Sequence, residues 1–182
     1  MNFLLDIDRS LVDTAPAFEH PWLTAVFLVL SAWWVKGPLL VALGLCSDVQ
    51  RRRLPVAFAA AAAATGAASL LAHLLKEAFA RQRPPVDDPT LGALQPIPGN
   101  PSFPSGHSAT AFAAGTAVAI LCPRLRLPAL GIAAAVGLSR IYLRVHFPLD
   151  VAAGALLGAG VGALCALVAL KALRLRPLAA AR

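Results

Sequence analysis

The chain has 182 residues, 58% of them hydrophobic and only 14% charged, with a mean hydropathy of +0.71. A soluble domain carries about 45–50% apolar and about 25% charged residues, so this composition excludes a water-surrounded globule and a disordered chain and implies an integral membrane protein. The net charge of +7, from 16 Lys and Arg against 9 Asp and Glu, is then read by position along the chain rather than as a nucleic-acid footprint.

The first residues carry Asp6 and Asp8 where a secretory signal would carry Lys or Arg, so no cleavable signal is expected. Leu4, Ile7 and Leu11 recur at helical spacing, opposite Asp6, Arg9, Ser10 and Asp13. That pattern predicts a short helix lying in the membrane interface within residues 1–20. Crossing about 30 Å of hydrocarbon takes roughly 20 helical residues. Residues 54–75, 104–122 and 149–170 meet this directly, and 127–145 is apolar until Ser139, then gains Arg140 and Arg144. Residues 21–35 and 38–46 are apolar but short, with Lys36-Gly37-Pro38 between them. They read either as two short spans or as one span with an interfacial helix. The expectation is a single all-α membrane bundle over residues 1–182 with six transmembrane helices, five being the alternative.

Arg51–Arg53, then Arg124 and Arg126, then Lys171, Arg174, Arg176 and Arg182 fall on one face of such a bundle, which should be cytoplasmic. Trp22, Trp33 and Trp34 suit interfacial anchors, with core packing open for the latter two. Cys46, Cys122 and Cys165 lack the spacing of a zinc or redox motif and read as small core residues. Gly154, Gly158 and Gly162 form a small-residue ridge, read as close packing inside the bundle in preference to dimerisation.

The opposite face gathers Lys76, Arg81, Arg83, Arg140 and Arg144 with His107, His146 and Asp150, beside the longest loop, 84–103. Ionisable groups collected at membrane helix ends from separate segments mark a functional site. The residue types fit a phosphate. Arg forks its oxygens, Lys adds a point charge, and Ser105-Gly106 opening a helix offers backbone N–H groups. His146 and Asp150, one turn apart, allow the carboxylate to hold one imidazole nitrogen and leave the other as nucleophile or base. His107 is placed to donate a proton to a leaving oxygen. Asp87 and Asp88 are adjacent in a loop rather than on a shared helix face, so no Mg²⁺ or Zn²⁺ is expected.

These segments carry three signatures in order: Lys76 through Arg83-Pro84, Pro104-Ser105-Gly106-His107, and Ser139-Arg140 with His146 and Asp150. Together they resemble those of the type 2 phosphatidic acid phosphatase (PAP2) superfamily of membrane lipid phosphatases. The resemblance covers residues 76–150. It implies a metal-independent phosphatase without cofactor, acting at the extracytoplasmic side of the cell membrane through a phosphohistidine and inhibited by vanadate. His146 would be the nucleophile, Asp150 its orienting group and His107 the acid and then base. Lys76, Arg83, Ser105, Gly106 and Arg140 would bind the phosphoryl oxygens. The substrate is expected to be a membrane lipid phosphate. Polyprenyl (undecaprenyl) diphosphate leads, with phosphatidic acid, phosphatidylglycerol phosphate or lipid A phosphate as alternatives.

Taken singly, each residue has a plainer reading. Lys76 and Arg83 would snorkel at a helix end, Ser105 would cap a helix, and Arg140 would pair with Asp150. Arg81 and Arg144, outside the signatures, read as solvated interfacial arginines in preference to contacts with a second phosphate or headgroup. His73 reads as packed within its helix, and His20 as lying near the interface. The reading from another class is a non-catalytic membrane protein that binds lipid phosphate.

Overall fold

A computed structural model of the chain describes residues 2–50 and 55–179; Arg51–Arg53, Leu54 and Arg182 lie outside the described residues. Every regular element among those described is helical. Helix α1 is Asn2–Asp13, α2 is Pro21–Leu30, α3 is Pro38–Gln50 and α4 is Val56–Phe79. The one-turn α5 is Pro84–Asp87, followed by α6, Gly106–Leu121, α7, Arg126–Tyr142, and α8, Pro148–Ala179. The helices α4, α7 and α8 are long and apolar enough to cross a membrane, while α2, α3 and α6 are shorter apolar helices.

Helix boundaries follow local chemistry. Ala80 closes α4 in the left-handed region (φ 46°), its N–H on the Lys76 carbonyl. Three residues on, Pro84 forces Arg83 into the extended conformation that the residue before a proline adopts. This turns the loop 84–105 back across the helix ends. Ser105 caps α6, its Oγ accepting from the Ser108 N–H at 3.4 Å. Pro123 starts the turn into α7.

The bundle is built around α6, which packs against α4, α7 and α8. Its interior is almost entirely small, with Ala109, Ala113, Ala114 and Ala117 of α6 against Ala61, Ala64 and Ala68 of α4 and Ala129 and Ala133 of α7. Gly154, Gly158 and Gly162 lie against the carbonyls of Ser105, Ala109 and Ala113, leaving no room for a Cβ. The glycine ridge therefore joins α8 to α6 inside the bundle. Many large apolar side chains point outward instead, among them Leu70 at 60% exposure, Leu156 at 76% and Leu127 at 83%. Small inside and large outside is the arrangement expected where lipid is the solvent, because hydrocarbon gives Leu no reason to be buried. Trp22, Trp33 and Trp34 are also exposed, which removes the core reading for the last two. Of the cysteines, Cys122 is buried and Cys165 half-buried, but Cys46 is exposed on α3.

Helices α2 and α3 are not an antiparallel pair. The N–H of His20 meets the Tyr142 hydroxyl, Ser31 meets Ser139, Gly37 lies on Thr65, Gly44 on Ala57, and Asp48 accepts from the Phe58 N–H. The two helices thus follow one another along a single path, broken at residues 31–37. Irregular backbone at membrane depth is tolerated where it lines a cavity, and this break does. Helix α1 lies across the end of the bundle where α8 begins. Its Ile7 and Leu11 are exposed, and among the described residues Asp8 and Val12 are buried.

Because Gly158 meets backbone and Gly160 meets open space, the two should respond oppositely to added carbon. Gly158→Val is expected to cost about 2 kcal/mol by overpacking, whereas Gly160→Ala should gain up to about 1 kcal/mol of helix propensity. Thermal unfolding of the variants in one detergent measures both.

Candidate active site

A cavity of about 250 Å³ opens at the end of the bundle formed by the C-termini of α4 and α7 and the N-terminus of α6. Lys36, Lys76, Arg83 and Arg140 line it together with His73, His107 and His146, and no carboxylate is among its lining residues. Gly106 also lines it, and a Cβ there would meet only open space. An anion can therefore come up to the backbone at the start of α6, where unpaired N–H groups point outward.

The basic groups are fixed by the loop above them. Lys76 is buried and its ammonium donates to the carbonyls of Pro101 and Ser102. Arg83 donates to the Asn100 carbonyl at 3.0 Å and side chain at 2.7 Å, and to the Val145 carbonyl at 2.6 Å. Arg140 holds only Gln95, at 3.3 Å, and its buried Nε has no partner among the described residues. A buried guanidinium with unused donors is one that an anion would satisfy.

His146 lies in the segment between α7 and α8. Its Nε2 is 3.2 Å from Arg83 Nη1 and its Nδ1 is 3.3 Å from Ser102 Oγ. A guanidinium only donates, so Nε2 is the unprotonated nitrogen and Nδ1 carries the hydrogen. Burial pushes the imidazole down to about 3, and Arg83 and Arg140 act in the same direction against the Asp150 hydrogen bond. The ring is neutral at pH 7, with its lone pair turned to the cations of the cavity. His107 donates from Nε2 to the Ser31 carbonyl at 3.2 Å, at the break between α2 and α3.

Asp150 is fully buried. Its Oδ2 lies 3.6 Å from His146 Nδ1, and the hydroxyl of Ser102 bridges the two, donating to Asp150 Oδ2. The Phe147 N–H reaches the same oxygen at 3.0 Å, and Arg81 Nη1 takes Oδ1 at 2.7 Å. The second Arg81 nitrogen binds Asp8 of α1 at 2.6 Å, and Asp8 accepts the Leu149 N–H of α8 at 2.7 Å. The guanidinium also lies 4.0 Å from the centre of the Phe147 ring.

The structure thus brings Lys76, Arg83, Gly106, His107, Arg140 and His146 to one cavity, with Asp150 behind His146. Ser105 departs from the expected phosphate contact. It is fully buried, its hydroxyl held by Ser108, and the cavity lining does not include it. Arg81 is no solvated arginine but the bridge between two buried carboxylates. Arg144 is buried on Glu19 at 2.8 Å. His73 faces the cavity, and Lys36, Ser102 and Asn100 belong to the site although no signature contains them.

Residues 56–174 match the PAP2 superfamily. The chain belongs to that superfamily. Lipid A 1-phosphatase of Rhizobium johnstonii is 41% identical over 103 residues, 54% of this chain and 42% of that protein. Decaprenylphosphoryl-5-phosphoribose phosphatase of Mycobacterium tuberculosis is 39% identical over 107 residues, 54% of this chain and 56% of that protein. The chain spans about half the length of these relatives. The transmembrane PAP2 type phosphatidylglycerolphosphate phosphatase from Bacillus subtilis superposes with a TM-score of 0.76 at 29% identity, over 94% of this chain and 88% of that one.

Within this PAP2 fold, replacing Arg81 by Met would leave Asp8 and Asp150 buried without their shared cation. Removing one partner of a buried ion pair costs about 3 kcal/mol. Arg81→Met is therefore expected to lower the unfolding temperature clearly, and Asp8→Asn to lower it less, since Arg81 then keeps Asp150. Calorimetry in detergent distinguishes them.

Proposed function

We propose that this chain is a metal-independent phosphatase of membrane lipids that works through a phosphohistidine. The observation that carries the reading is the unprotonated Nε2 of His146, held at a cavity lined by four cations and no carboxylate. In this mechanism Nε2 attacks phosphorus as the substrate phosphate takes over the Arg83 hydrogen bond. The imidazole becomes cationic, and Asp150 offsets that charge through Ser102 and Nδ1. Arg83, Arg140, Lys76 and the Gly106 N–H stabilise the spread charge on the equatorial oxygens. His107, cationic in the complex with the anionic substrate, keeps its Nε2–H on the Ser31 carbonyl and gives its second ring proton to the departing oxygen. It then takes one from the water that cleaves the phosphorus–nitrogen bond, which restores His146. Ser105 serves by capping α6 and so fixing the Gly106 N–H.

The reading places the protein in the cell membrane with five crossings: the broken α2–α3 path, α4, α6, α7 and α8. The cavity then faces the extracytoplasmic side, and the substrate enters laterally with its headgroup in the cavity. The names of the relatives cover three different lipid headgroups, so no single substrate is carried over. A polyprenyl diphosphate is the leading candidate, ahead of phosphatidic acid, phosphatidylglycerol phosphate and lipid A phosphate.

Phosphate release by the detergent-purified protein from these four lipids, with EDTA present, tests the proposal. At least one lipid should be hydrolysed. His146→Ala should lose roughly 10³-fold or more, about 4 kcal/mol in the barrier, and vanadate should abolish release. Full activity in His146→Ala would sink the phosphohistidine, and hydrolysis of none would favour a lipid-phosphate binder.

A further inference from the structure

Lys36 is the sole charged residue between Glu19 and Asp48, and no signature accounts for it. It sits in the break between α2 and α3 and lines the same cavity as Lys76, Arg83 and Arg140. None of the ion pairs among the described residues includes it. An ammonium among membrane helices is costly without an anion, so its position calls for one.

The cavity is elongated. Along α4 it runs from Lys76 through His73 and Ala72 to Ser69, about 10 Å at the rise of a helix. Gly37, next to Lys36, lies against Thr65, one turn further inward. Lys36 is thus at the inner end. Lys36 belongs to the break whose Ser31 carbonyl takes the His107 Nε2–H at 3.2 Å, whereas His146 lies at the other end, 3.2 Å from Arg83 Nη1 beyond the C-terminus of α4. The order along the cavity is therefore His146, then His107, then Lys36. In the mechanism proposed above, that order is nucleophile, proton donor, and the place where the leaving group lies.

We infer that Lys36 is a subsite for an anionic leaving group, which makes it the residue that selects a lipid diphosphate, cleaved at its phosphorus–oxygen–phosphorus bridge, over a simple monoester. The inference rests on the phosphohistidine reading. The terminal phosphorus bonds to His146 Nε2, and its bond to the bridging oxygen breaks. That oxygen keeps the electron pair, accepts the second ring proton of His107, and departs as part of a lipid monophosphate. Lys36 offsets the charge of that monophosphate, and Arg140, with its unused Nε, lies between the two phosphates. An alcohol leaving from a simple monoester would give Lys36 nothing to bind. The lipid tail is then on the hydrocarbon side of the cavity, where Trp33 and Trp34 beside Lys36 are exposed.

The test compares farnesyl diphosphate with farnesyl monophosphate, using the full chain in detergent with EDTA. The wild type should prefer the diphosphate. Lys36→Met should lower kcat/KM for the diphosphate at least tenfold more than for the monophosphate, and Lys36→Arg should recover part of the difference. Equal losses on both substrates, no loss on either, or a wild type without preference would overturn the subsite while leaving the phosphatase reading intact. A second measurement needs no turnover. Calorimetric binding of pyrophosphate and of phosphate to His146→Ala, with and without Lys36→Met, should reveal weakening of pyrophosphate alone. Lys36-dependent pyrophosphate binding in a protein that hydrolyses neither lipid would support the subsite and remove the phosphatase reading. Insensitivity of both binding and hydrolysis to Lys36 overturns the inference.

Discussion

Asp150 has no contact with water, and a carboxylate so placed is tolerated only when its oxygens are occupied. Its partners come from separate parts of the chain. Arg81 follows α4, Ser102 belongs to the long loop, and Phe147 precedes α8. Satisfying that single charge therefore fixes the loop, the end of α4 and the start of α8 relative to one another. Asp8 extends the arrangement to α1, since it shares Arg81 and caps the Leu149 N–H. The orientation of His146, and with it the position of the free Nε2, follows from this network.

The network can form only because the helices approach closely. The Ser105 N–H donates to the Asp150 carbonyl at 2.9 Å, joining the start of α6 to α8. That distance is available because Gly154 has no Cβ to hold the two backbones apart. The same small-residue packing continues inward through Gly158 and Gly162, so the bundle interior is a stack of backbones. The apolar bulk is turned to the lipid. Such packing gives a rigid frame, which the proposed mechanism needs in order to hold a nucleophile, a proton donor and several cations around one phosphorus atom.

Much of this was legible in the sequence because phosphate chemistry and helix geometry both leave spacing marks. His146 and Asp150 stand one turn apart, and Gly106 follows a capping serine. Long apolar runs located the starts of α4, α7 and α8 to within two residues, while α8 continues to Ala179, past the expected end at residue 170. What escaped was set by tertiary contact. Ser102 sits three residues before Ser105, and nothing in its spacing reveals that its hydroxyl bridges His146 and Asp150. Arg81 looked solvated because its partner Asp8 is 73 positions away. Ser105 was expected to touch phosphate, but the hydroxyl that caps a helix is turned back onto that helix. The path of α2 and α3 differs from the expectation: two short apolar runs with a break read as two crossings, with one span and an interfacial helix as the alternative, whereas the contacts of His20, Ser31, Gly37 and Gly44 string them along one path. Lys36 did carry a signal, a lone cation in an apolar stretch, but its meaning depended on knowing that the break borders the cavity.

The account stands or falls on a covalent bond between His146 and the phosphoryl group. The most direct measurement is rapid acid-free quenching of the protein during turnover of a ³²P-labelled lipid diphosphate, followed by peptide mapping of the label. The account predicts an acid-labile, alkali-stable label on His146, present in the wild type and missing in His146→Ala. Turnover without any such label, or a label that persists in His146→Ala, would contradict it.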